Sequence, residues 1–204
     1  MSIAAMLRRS LAVAVMALAA CDGTMPGLGP ASSLHETKVL GDTIRVAAPS
    51  GYCFDPKASV TRGDAVTVLM GRCTAKGGVA AAVVSITIGP PASAGVLLAG
   101  PDALAKFFTS TDGRKILARD GDAGHVVVLQ AQIDEGSLLL HINDLTAGEY
   151  WRVISAIQGR LVTISASGVE GAPLTPDQGL KLVLDELGLL NKRNPDKVIP
   201  ARKV

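Results

Sequence analysis

Apolar and polar positions change rhythm several times along the chain. Leu11 to Ala20 is apolar at every position, directly after Arg8-Arg9-Ser10. Residues 22–37 lose that character and fill with Gly, Pro, Ser and Thr. Short apolar stretches bounded by turn residues follow, and they predict strands at Asp42–Ala48, Ala65–Gly71, His125–Ile133, Ser137–Asn143, Tyr150–Ile157 and Leu161–Ala166. Val79–Ile88 carries Val83, Val84, Ile86 and Ile88 in a continuous apolar run, which predicts a central strand buried on both faces. Lys115–Arg119 reads as one more short strand before the Asp120-Gly121-Asp122 turn. Asp134-Glu135-Gly136-Ser137 and Gln158-Gly159 sit where hairpins must reverse.

Two stretches have helical spacing instead. Pro101-Asp102 suits a first helical turn, and Leu104, Phe107 and Phe108 supply an apolar face up to Asp112-Gly113. Thr175 is a cap residue before Pro176, and Leu180, Val183, Leu184, Leu187 and Leu190 form an apolar stripe. The expectation is an α+β fold. It has a mostly antiparallel sheet of about seven strands, covered by two main helices near 101–112 and 176–190, the second C-terminal and amphipathic. The organisation expected is a leader at 1–20, a flexible tether at 21–38, one domain at 39–191 and a basic tail at 192–204.

Charge changes the picture at the N-terminus. The chain of 204 residues has 20 Lys+Arg and 18 Asp+Glu, and removing the first 20 residues takes away Arg8 and Arg9, leaving 18 of each. A balanced chain with 3% aromatics offers neither the basic bias nor the stacking surface of a nucleic-acid binder.

The run Leu11–Ala20 is shorter than the ~20 apolar residues that cross a bilayer. Two arginines, an apolar stretch and small residues make up the order of a secretory signal. Ending in Leu18-Ala19-Ala20-Cys21, it resembles a bacterial lipoprotein signal peptide with its lipobox. That resemblance implies cleavage before Cys21, acylation of Cys21 and attachment to the membrane by lipid, with the domain facing the periplasm. Asp22 after the cysteine resembles an inner-membrane retention signal. Two alternatives stay open: an uncleaved anchor, and ordinary cleavage after Ala17-Leu18-Ala19 that leaves Cys21 a free thiol.

With Cys21 assigned to lipid, Cys53 and Cys73 remain as an even pair in an oxidising compartment, where a disulfide is expected. The rival is a metal or redox pair, which lacks a neighbouring Cys or His ligand in sequence. The order of strands, helix, hairpins and last amphipathic helix, with Ala48-Pro49-Ser50-Gly51-Tyr52 after the first strand, loosely resembles PsbP-type domains over residues 40–190. Such domains serve many ends, so that likeness implies a fold and no functional residues.

Candidate chemistry is sparse. The histidines His35, His125 and His141 have no partner at metal-ligand spacing, so no metal or cofactor is expected. No nucleophile elbow, phosphate loop or dinucleotide fingerprint occurs. Asp120-Gly121-Asp122 with Gly124 lacks the remaining oxygens of a calcium loop. Asp134-Glu135, and Asp144 with Glu149, are the candidate carboxylate pairs. Two function classes follow. One is a non-catalytic envelope lipoprotein that binds an envelope protein or small ligand through one sheet face. The other is a small hydrolase-like periplasmic enzyme with a site near His125, His141 and Asp144.

Overall fold

Tight turns set the register of half the main sheet. The computed structural model describes residues 35–74 and 78–195, so the leader, Cys21 and most of the expected tether and tail lie outside the described residues. β7 (Val126–Asp134) and β8 (Ser137–Asp144) are joined by Glu135-Gly136, with φ of 46° and 79°. β9 (Gly148–Ile157) and β10 (Arg160–Gly168) are joined by Gln158-Gly159, with φ of 48° and 74°. Two consecutive left-handed residues give the turn whose twist matches that of the strands, so both expected hairpins form.

The remaining strands are β1 (Glu36–Val39), β2 (Ile44–Ala47), β3 (Tyr52–Phe54), β4 (Val60–Arg62), β5 (Ala65–Arg72) and β6 (Ala82–Ile88). β1 and β2 form a separate hairpin. The main sheet runs β3-β5-β6-β10-β9-β8-β7, with β4 beside β3 on the outer edge of β5, and every pairing in it is antiparallel. The helices are α1 (Gly95–Ala99), α2 (Pro101–Thr109), α3 (Thr111–Leu117) and α4 (Pro176–Arg193). The protein is therefore α+β, a large antiparallel sheet packed against helices that include a C-terminal one.

α4 begins as its sequence dictates. Thr175 Oγ1 accepts from Gln178 N, the Gln178 side chain accepts from Thr175 N, and Pro176 occupies the first turn. It lies over β9, β10 and β2 and closes a core of Ile44, Val46, Val84, Ile86, Val153, Ile164, Leu182, Val183 and Leu190. At its far end Asn194 accepts from Arg45 N and donates to the carbonyls of Arg45 and Leu190. Residues 192–194, expected as tail, are thus part of the domain, and β1 starts at Glu36, inside the expected tether.

Three local expectations are corrected. Lys115–Arg119 is not a strand, because Ser110 Oγ accepts from Gly113 N and starts α3, which carries Leu117 inward. A Cβ at Gly113 would fall 2.0 Å from the Phe107 carbonyl oxygen, so the α2–α3 junction depends on that glycine. β6 is not buried on both faces, since Val83 and Thr87 are exposed. The strands covered on both sides are β8 and β9, between α4 and a second core of Leu97, Leu117, Leu138, Leu140, Ile142, Tyr150 and Ile154 under α1–α3. The buried stripe of α4 is also rotated from the expected one. Leu184 is exposed, while Glu186 is fully buried.

Both Glu186 carboxyl oxygens are buried without a hydrogen-bond partner among the described residues. Burial pushes its pKa from the model-compound 4.5 up to about 9. The folded state holds this proton more tightly than the unfolded one. Its contribution is complete below the unfolded pKa and is lost as pH rises toward the folded one. Urea unfolding should show stability falling by roughly 3 kcal/mol between pH 5 and pH 7. Glu186→Met should remove that slope and raise stability at pH 7; a slope unchanged in the variant would refute the assignment.

Cys53 on β3 and Cys73 just beyond β5 form the expected disulfide, with Cα atoms 4.9 Å apart across neighbouring strands. Their sequence separation of 20 closes a short loop around β4. The Cys53→Ser, Cys73→Ser double variant should lower the free energy of unfolding by roughly 3 kcal/mol, read as a lower urea midpoint than the oxidised parent.

Candidate functional site

The two faces of the main sheet are covered unequally. α4 spans one face of β9 and β10 and meets β2, while α1–α3 shield the other face over β7–β9. Opposite α4, no helix among the described residues covers the face of β5, β6 and β10 beyond Leu161, which packs against the second core. Strand alternation decides what it presents. Val66, Val68, Val84, Ile86, Ile88, Val162, Ile164 and Ala166 point into the core. Their neighbours Thr67, Ser85, Thr87, Thr163, Ser165 and Ser167 point the other way and are part or fully exposed. Pairing aligns them in rows: Thr67, Thr87 and Thr163 in one, and Ser85, Ser165 and Arg152 in the next. The Thr67 and Thr87 hydroxyls lie 3.1 Å apart.

Where this open face meets α3, a recess of about 260 Å³ is walled by Ser85, Ser165, Ser167, Arg152, Arg119 and Asp144. Arg152 Nε donates to Ser165 Oγ at 2.9 Å, and its guanidinium carbon sits 5.4 Å from the Tyr150 ring centre. Tyr150 is itself fixed, buried and donating to the Leu117 carbonyl, and burial raises its pKa. Asp144 is 1% exposed. Burial alone would raise its pKa, but the N–H groups of Arg119, Thr146 and Ala147 and the Thr146 hydroxyl hold it below the usual carboxylate range.

Of the residues singled out as a catalytic group, His125 lies beside Asp144 across β7 and β8, but His141 is on the other face of the sheet. His141 stacks flat on Trp151, ring centres 4.4 Å apart, and its Nε2 lies 2.6 Å from Glu149 Oε1. It shares the α4 side of β8 with Leu139, while Asp144 shares the opposite side with Leu140 and Ile142. His125 precedes β7 and pairs with Asp120 at 2.6 Å in the open. That hydrogen bond raises the His125 pKa. The backbone N–H of Asp122 and then the His125 contact lower that of Asp120. Asp120 and Asp122 each accept an N–H two residues on, so this loop is an ordinary turn held by its own side chains. The Asp144 and Glu149 carboxylates are engaged separately, one by backbone N–H groups and one by His141.

The structure does bring a histidine to the disulfide. His35 is carried there by the β1–β2 hairpin, with its carbonyl accepting from Ala48 N at 2.8 Å and its Nε2 lying 4.0 Å from Cys53 Sγ. The donor atoms of His35, Cys53 and Cys73 lie within 4.8 Å of one another. With the sulfurs bonded to each other neither is a thiolate, so the group holds no metal in this state. A second concavity, about 340 Å³ and mostly apolar, lies between Tyr52, Val79, Leu174 and Leu182, with the Lys181–Asp185 pair at its rim.

The open face was missed in sequence although its signal is there. Ser85-x-Thr87 and Thr163-x-Ser165-x-Ser167 alternate with branched apolar residues, which marks two neighbouring strands that each turn hydroxyls to one side.

No protein-family model matches the chain, and no curated protein matches it significantly. Among solved structures, a mutant of the protein Mog1 is similar at 12% identity, with a TM-score of 0.41 over 78% of this chain and 93% of that one. The Saccharomyces cerevisiae Ran-binding protein Mog1p, in a crystal structure at 1.9 Å resolution, is similar at 12% identity and a TM-score of 0.41, over 78% of this chain and 92% of its own. Likeness of this degree assigns neither activity nor partner.

Proposed function

We propose that this chain is a cell-envelope lipoprotein, held to the bacterial membrane by acyl chains on Cys21, whose domain is a non-catalytic binding module. The open face of β5, β6 and β10 carries the binding reading. It carries hydroxyls with no helix over most of it among the described residues, and an arginine-bearing recess lies at its border. A face of this kind suits recognition, and the separation of His141 from Asp144 on opposite faces of the sheet favours it over the hydrolase reading. The anchoring reading rests on Leu18-Ala19-Ala20-Cys21 and is consistent with a Cys53–Cys73 disulfide, a bond that persists in oxidising compartments. Residues 22–35 lie between Cys21 and β1. Fully extended they reach at most about 50 Å, enough to hold the domain clear of the headgroups.

Two measurements test this. Intact mass of the protein taken from membranes should show a chain beginning at Cys21 with acyl mass added, and two hydrogens fewer before reduction than after. An unmodified chain beginning near Ala20 would overturn the anchor. A photoreactive residue at position 87, on the open face, should yield discrete protein or small-molecule adducts in native membranes, while one at position 181 on α4 should not. No adduct from position 87, or equal labelling from both, would overturn the binding face.

A further inference from the structure

We infer that the recess at Arg152 is a binding site for an oxyanion, the phosphate or carboxylate group of a small organic ligand. This deepens the binding-module reading and rests on it. The lining includes two arginines, Arg119 and Arg152, against one acidic residue, Asp144, and the guanidinium of Arg152 is the one fixed at the recess. Among the described residues no carboxylate oxygen lies within 4.0 Å of either guanidinium group. Asp144 does not compete for them. Its Oδ1 already accepts from Thr146 N, Thr146 Oγ1 and Ala147 N, and its Oδ2 from Arg119 N.

Arg152 is fixed before any ligand arrives. Its Nε is committed to Ser165 and its plane lies beside Tyr150, so its outer Nη groups remain as donors in a set position. A guanidinium held by packing and one hydrogen bond loses little freedom on meeting a two-oxygen acceptor, which is where arginine exceeds lysine. Ser165 accepts from Arg152, which leaves its own proton to donate. Ser85 and Ser167 have no side-chain partner among the described residues and add two more hydroxyl donors on adjoining strands. Adjacent strands stand about 4.8 Å apart, so hydroxyl and guanidinium donors span one small group. A volume of about 260 Å³ falls just below the range usual for drug-sized ligands, which favours a compact headgroup.

The test is an amide and arginine side-chain NMR titration of the full mature protein with inorganic phosphate, and separately with acetate, at ionic strength held constant with chloride. Saturable shifts should be confined to the recess lining: Ser85, Arg119, Ser165, Ser167 and the Arg152 Nε–H. Arg152→Gln should raise the dissociation constant at least tenfold. The exposed-side variant Ser85→Ala with Ser167→Ala, which removes only hydroxyls, should raise it severalfold with the rest of the spectrum unchanged. Tighter saturation by phosphate identifies a phosphate ester as the ligand class, and tighter saturation by acetate a carboxylate. Absence of saturable shifts with both anions, shifts spread over surface lysines, or binding undiminished in both variants would overturn the site. A silent titration beside persistent adducts from position 87 would remove this site and leave the binding face standing.

Discussion

The packing of α4 across one face of the main sheet is the contact on which the other features depend. It buries the inward positions of β5, β6, β10 and β9 in one continuous core that also takes in β2. Both ends of the helix are held, by the Thr175–Gln178 capping box and by the bonds of Asn194 to the β2 backbone. With that face closed, strand alternation must send the intervening residues to the other side. There α1–α3 pack mainly over β7–β9 and reach β10 only at its start. Among the described residues, the open hydroxyl face follows from where these helices end.

Glu186 stands against this economy. A carboxyl without partners inside an apolar interface costs stability, and it is kept neutral by burial near neutral pH. Any apolar residue of similar size would pack there at lower cost. The interface nonetheless tolerates it, because Leu182, Val183 and Leu190 surround it on the same helix face. The recess at Arg152 is the opposite case. Arg152 there is partly exposed and oriented by Ser165 and Tyr150, and Asp144, though buried, is satisfied by the turn that follows it.

The proposed anchor and the proposed binding face rest on separate parts of the chain. The proposal of an anchor is read from the order of charge, apolarity and small size over about 21 residues at one end. The open face belongs to the domain, whose first strand starts at Glu36. The disulfide is compatible with the oxidising compartment the proposed anchor implies. Within the domain it ties the short edge strand β3 to β5, where few backbone bonds hold the edge.

Much of the fold was legible because it is local. The hairpins at Glu135-Gly136 and Gln158-Gly159, the cap at Thr175 and the class of the fold follow from turn chemistry and periodicity over a few residues. What failed was whatever depends on distant neighbours. Val79–Ile88 looked doubly buried because valine and isoleucine dominate the run, yet Ser85 and Thr87 share a face with Val83 that is part or fully exposed. Lys115–Arg119 looked extended until Ser110 is seen capping a turn. Leu184 and Glu186 exchanged places because the sheet, not the helix, chooses which stripe is inward. The candidate export signal, the cysteine pair, the hairpin turns and the start of α4 are local, each set by residues close in the chain. That His35 reaches the disulfide, that His141 and Asp144 part to opposite faces, and that Arg152 meets Ser165 follow from the fold. Those meetings depend on strand register and helix coverage, which are set by packing across the whole domain.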